Sequence, residues 1–135
     1  MQAYMKKFIE KMDEEGIKYT EMDETTLRVC FNCDNIKSVN AMVVFDEDGK
    51  NLVQFRCWEI ESFKNKETEA LALCNELNYH FRWVKFFVDK DMDIVALLDA
   101  MLEEETAGDE CFSLLMRFVN IVDDAYPAIA KARWA

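Results

Sequence analysis

Glycine and proline are scarce in this chain, three and one in 135 residues. That excludes a collagenous, linker-like or turn-dense chain, and it removes the Gly-rich loop with which the familiar nucleotide-binding motifs wrap a phosphate. Histidine occurs once, as His80, so any imidazole chemistry has one candidate. Cations are the minority: 16 Lys and Arg against 27 Asp and Glu give a net charge of −11. Such a balance repels nucleic-acid backbones and anionic lipid surfaces, so neither is an expected partner. No window has the apolar length that spans a bilayer, and the segment from Met1 to Lys7 lacks the apolar run of a signal peptide. A cytoplasmic protein is the expectation. Five cysteines, an odd number, predict reduced and mostly buried thiols rather than a disulfide framework.

What the chain does hold is core material. Hydrophobic residues make up 51% and aromatics 13%, enough for one buried interior in a chain of single-domain length. One domain over residues 1–135 is expected. Met1, Tyr4, Met5, Phe8, Ile9 and Met12 recur at helical spacing, and Gly16-Ile17 supplies a left-handed stop. From Ile17 to Ile60 the pattern changes to β-branched and aromatic runs, the signature of an antiparallel meander with strands at Ile17–Met22, Thr26–Cys33, Ser38–Phe45 and Asn51–Ile60. Asp48-Gly49 marks the last hairpin, where Gly accepts the positive φ of a tight turn.

A second helix is predicted over Lys66–Tyr79 with Asn65 as its cap, then a strand over Arg82–Asp89. Ile94 to Leu102 is ambiguous. Its apolar residues fit a helical stripe, whereas hairpin pairing with the preceding strand would make it extended. A long final helix is predicted from Gly108 to Ala132, capped by Thr106 or Asp109 and bent or broken at Pro127.

Candidate chemical sites fail on spacing. Cys30 and Cys33 could fill two corners of a tetrahedral zinc site, but no second pair exists and strand alternation turns them to opposite faces. Asp89, Asp91 and Asp93 begin like a calcium loop, yet Ile94 stands where Gly is needed and Ala100 where a bidentate Glu is needed. His80 lies six residues from Cys74 on one predicted helix, a poor separation for a Cys–His pair, and suits a helix C-terminus instead. No catalytic residue, metal ligand or cofactor is assigned, and a non-enzymatic protein is expected.

Strand parity is more informative. Leu27, Val29, Phe31, Val53, Phe55, Val84, Phe86 and Val88 form an apolar set suited to packing beneath helices. The opposite parity holds Arg28, Cys30, Gln54, Arg56, Trp58, Trp83, Lys85 and Phe87. Cations mixed with aromatics resemble protein-interface hot spots, which makes Arg28, Arg56, Trp58, Trp83, Lys85 and Phe87 candidate partner-binding residues. The competing possibility is that the second helix, around Leu73 and Leu77, covers this face and buries its aromatics as core.

The words Leu73-Cys74-Asn75-Glu76-Leu77-Asn78, Trp83-Val84-Lys85-Phe86, Cys111-Phe112 with Leu115-Met116-Arg117, and Asp123 with Ala125-Tyr126-Pro127 together resemble the YbjN family of bacterial sensory transduction regulators. The resemblance implies a type III secretion chaperone-like α+β fold: an antiparallel sheet of five or six strands and three helices in the order α-β-β-β-β-α-β-β-α. Helices one and three are expected on one face of the sheet and helix two near the other. It places a strand at Ile94 to Leu102, which decides that ambiguity. It further implies a chaperone-like protein-binding or regulatory module, a homodimer that binds a client polypeptide, with net charge favouring basic or amphipathic clients. The alternative is a sensory domain that binds a small ligand between helix and sheet and signals through a homodimer.

Overall fold

The computed structural model describes residues 1–135. Helix α1 spans Ala3–Glu14; strands β1 to β4 are Thr20–Glu21, Thr26–Asn32, Ser38–Phe45 and Leu52–Cys57; α2 is Glu67–His80; β5 and β6 are Lys85–Val88 and Ile94–Met101; and α3 is Ala107–Trp134. The strands form one six-stranded sheet, ordered β1-β2-β3-β4-β6-β5 and antiparallel throughout. The last strand in sequence therefore lies inside the sheet, between β4 and β5. The ambiguity of Ile94 to Leu102 lies in its first five residues, Ile94 to Leu98, which are apolar on both faces of the strand, and a continuous apolar run also satisfies a helical stripe.

Local chemistry sets the boundaries. The Gln2 side-chain oxygen caps α1 by accepting from the N–H groups of Tyr4 and Met5 at 2.7 and 3.0 Å. Gly16, at φ +69°, ends that helix. Asp89 accepts from the N–H groups of Asp91 and Asp93 at 2.9 and 3.0 Å, so the carboxylate of the apparent calcium loop is occupied in tying a hairpin turn. Two expected caps are not used. Asn65 sits at φ +68° one residue before the cap position of α2, and the Thr106 hydroxyl donates to Glu110 instead of capping α3. Pro127 lies inside an unbroken α3.

All three helices line one face of the sheet. Phe8 of α1 packs on Phe45 at a ring separation of 5.9 Å, and Phe118 of α3 on Phe55 at 6.0 Å. Ala70, Leu73, Cys74 and Leu77 of α2 enter this same core, and Phe81 after it packs on Phe86 at 6.3 Å. The expected placement of helix two near the opposite face is thus corrected: α2 packs against β5 and α3, because its apolar stripe has the α3 side of the core to join. α1 and α3 pack closely where Gly108 meets the Lys7 backbone, and Lys11 clasps Asp109 and Glu15, both at 3.0 Å.

Candidate functional site: the uncovered sheet face

With the helices on one side, the other face of the sheet stands open. Its residues are fixed by strand register. Arg28 lies opposite Met42, Met42 opposite Arg56, Arg56 opposite Leu97 and Leu97 opposite Lys85. Directly paired residues share a face, so these five form one row across β2, β3, β4, β6 and β5. In the neighbouring rows Gln54 pairs with Asp99, and Phe87 pairs with Val95. Val95 is 1% exposed yet stands outside the core cluster, so this face is closed over at that point although no helix lies on it.

Five of the six candidate residues belong to this face. Arg28 and Lys85 are exposed, Arg56 and Phe87 half-buried, and Trp58 is 50% exposed. The Arg56 guanidinium lies 5.8 Å from the Trp58 ring and donates from Nε to the Gln54 side-chain oxygen, whose amide donates to Asp99 at 2.7 Å. No carboxylate pairs with Arg28, Arg56 or Lys85; the ion pairs of the chain belong to Met1 and Lys11.

Trp83 is the correction. Its φ of +75° takes the chain out of strand alternation just before β5, and the ring turns to the helix side, where the Arg117 guanidinium lies 5.6 Å above it. There it walls an open groove of about 690 Å³ between β6 and α3, lined also by Leu98, Met101, Asp109 and Leu114. Trp58 and Trp83 therefore do not share a surface. Sequence reasoning also missed Met42 and Leu97, which complete the row. The available signal was the alternation Asn40, Met42, Val44 in β3; for Leu97 there was none until its segment was known to be a strand.

Burial disfavours the thiolate at four of the five cysteines. Burial pushes Cys57 and Cys74 up to about 11, and Cys111 well above the ordinary thiol range. Cys33 is also raised, by burial first and then by the nearby Asp123 charge. Cys30 is exposed on the open face and Cys33 turns to the helix side, so the pair does not converge. His80 ends α2 against the edge of Phe81, at 4.8 Å. No cluster of three or more His, Cys, Asp and Glu is arranged to hold a metal ion, and no helix is long and apolar enough to cross a membrane.

The residues of the sequence resemblance make structural ties. The Asp123 carboxylate accepts from the N–H groups of Asn35 and Ile36, each at 2.9 Å, pinning the β2–β3 turn to α3. The Tyr126 hydroxyl donates to Glu61 at 3.1 Å, and Asn78 bonds the backbone of Phe86. They are determinants of a fold.

That fold is of the type III secretion chaperone class: an α+β domain with three helices on one side of an open antiparallel sheet. It is similar to the crystal structure of the Yersinia pestis chaperone SycH in complex with a fragment of YscM2, with a TM-score of 0.50 and 13% identity over 87% of this chain and 98% of that one. It is also similar to the crystal structure of YbjN from E. coli, described as "a putative transcription regulator", with a TM-score of 0.64 and 15% identity over 91% of each chain. The chain belongs to the YbjN family, described as "Putative bacterial sensory transduction regulator", whose pattern matches residues 11–131. No curated protein matches it by sequence. Family and fold neighbours alike carry regulatory or chaperone descriptions, none of which names a reaction.

Proposed function

We propose that this protein is a non-enzymatic, chaperone-like binding module that presents its uncovered sheet face to a client polypeptide. One observation carries this reading: three cations without carboxylate partners alternate with Met42 and Leu97 on a face that no helix covers. Apolar surface flanked by cations and an aromatic is the composition of interface hot spots. The similar chaperone SycH was solved with a polypeptide fragment bound, which supports a client of the same kind here. The face is cationic although the chain is acidic, so the basic client suggested by net charge gives way to a carboxylate-bearing one at this surface. Five free thiols, one of them exposed, suit a reducing cytoplasm.

The small-ligand alternative draws less support. A sensory pocket would be an enclosed chamber with a few convergent polar groups, whereas the largest concavity is the open groove between β6 and α3. Self-association is part of the proposal. Leu71 and Tyr79, 57% and 91% exposed, stand two turns apart on the outer side of α2, away from the cationic row, and are where a second copy would meet the first.

The test is affinity capture with the wild type and with a Met42→Glu, Leu97→Glu variant, both verified as folded by circular dichroism. Proteins held by the wild type and lost by the variant support the proposal. The same proteins held by both would show that the sheet face binds nothing.

A further inference from the structure

We infer that the client element received by this face is an amphipathic helix bearing Asp or Glu at every seventh position, laid across the strands. The inference rests on the protein-binding reading above and names the chemistry of its partner. Along the row, Arg28, Arg56 and Lys85 are separated by two strands each, with Met42 and Leu97 between them. Strands lie roughly 4.8 Å apart, so the cations repeat at about 10 Å with an apolar residue midway.

That repeat distinguishes between partner conformations. An extended segment advances roughly 3.3 Å per residue and turns alternate side chains away, so its same-face residues recur near 6.6 or 13 Å and miss the cations. A helix advances about 1.5 Å per residue and returns to nearly the same face after seven residues, about 10.5 Å further on. Its residues three and four positions after each carboxylate then fall over Met42 and Leu97.

Charge fixes the sign of the contact. No carboxylate within the chain neutralises Arg28, Arg56 or Lys85. Asp99, the carboxylate on the paired strands of this face, lies one row away and accepts from Gln54. A Lys- or Arg-bearing helix would meet three like charges, and so would a second copy presenting this same face across a two-fold axis.

The probe is a fluorescein-labelled synthetic helix of about 17 residues, a length that spans the row. It carries Glu at every seventh position, Leu three and four residues after each Glu, and Ala and Gln elsewhere. A control of identical composition carries its Glu at every fifth position. Titrated by fluorescence anisotropy into the full chain, the heptad peptide is expected to bind at least about tenfold tighter than the control, and to weaken as salt is raised. The R28E/R56E/K85E variant should lose the Glu peptide by about tenfold or more and gain a peptide with Lys in place of Glu. Because a misfolded face cannot acquire an inverted partner, that gain guards against simple unfolding. Equal affinity for the two Glu peptides, indifference to charge reversal, or no binding of the heptad peptide would each overturn the inference. If captured proteins still depend on Met42 and Leu97 in that case, protein binding stands and the helical, acidic partner alone is lost.

Discussion

Asn78 lays its side-chain amide along the backbone of Phe86. Its oxygen accepts from the Phe86 N–H at 2.8 Å, and its nitrogen donates to the Phe86 carbonyl at 2.9 Å. β5 is the outer strand and pairs only with β6, so this amide supplies at one residue what a further strand would supply along the edge. Asn78→Ala should cost about 1–2 kcal/mol, the net worth of two hydrogen bonds. Asn78→Asp retains the acceptor but sets a second carboxylate oxygen against the Phe86 carbonyl, so it should cost at least as much as the alanine. Urea unfolding midpoints of the three proteins check this; an unchanged alanine variant would show that the edge is held by packing alone.

Gly108 separates two opposing rules. It lies in the first turn of α3, where alanine is intrinsically the better helix former by up to about 1 kcal/mol. A Cβ there would meet the Lys7 carbonyl oxygen at 2.9 Å, and that atom is backbone of α1, a helix held to the core by Met5, Phe8 and Met12. Gly108→Ala is therefore expected to destabilise, by about 1–3 kcal/mol, as overpacking does. Thermal unfolding reads the sign directly: a higher Tm would mean that α1 shifts freely.

The buried thiols predict alkaline sensitivity. Cys57 and Cys74 rise from 9.0 to about 11 because burial disfavours the thiolate. Well below pH 9 both folded and unfolded chains hold these protons, so stability does not vary with pH through these thiols. Between about pH 9 and 11 the unfolded chain releases protons that the folded chain retains, so stability should fall as pH rises through that window. Cys57→Ala should flatten part of the decline in a series of urea melts. In the native state at neutral pH, an alkylating reagent should modify exposed Cys30 first, with Cys111 reacting only on unfolding. Mass spectrometry of a time course would reveal any other order.

Self-association should depend on α2 and not on the cationic row. Light scattering on a size-exclusion column, over a dilution series, is expected to give a dimer mass for the wild type and a monomer mass for a Leu71→Glu, Tyr79→Glu variant. Trp58→Ala should leave the mass unchanged. A wild-type monomer at every concentration would remove the homodimer from the proposal and leave client binding to be judged separately.

Much of this architecture is legible in the residues. Period-3.6 stripes locate α1 and α3, alternation locates β2 to β4, and Asp48-Gly49 marks their last turn, with Gly49 at φ +79°. What escapes local reading is whatever depends on neighbours distant in sequence. Ile94 to Leu102 reads as a helix until β4 and β5 are known to enclose it. The row containing Arg56 is incomplete until Leu97 is known to pair with both Arg56 and Lys85. Trp83 misleads because alternation assumes an extended backbone, and a single residue at φ +75° reverses the side to which an indole points.

The place of β6 inside the sheet bears on how the chain reaches its native state. β1 to β4 can assemble by successive short hairpins, but β4 closes on β6 through pairs such as Leu52 with Met101, after α2 and β5 have intervened. Helix α1 likewise waits for α3, at the opposite end of the sequence. Pairings this remote slow folding, since loop closure must precede the contacts that reward it. A ribosome-bound chain ending before Ile94 would expose the unpaired edge of β4 with its apolar face unroofed by α3, so this protein commits to its structure only when nearly all of it has been made.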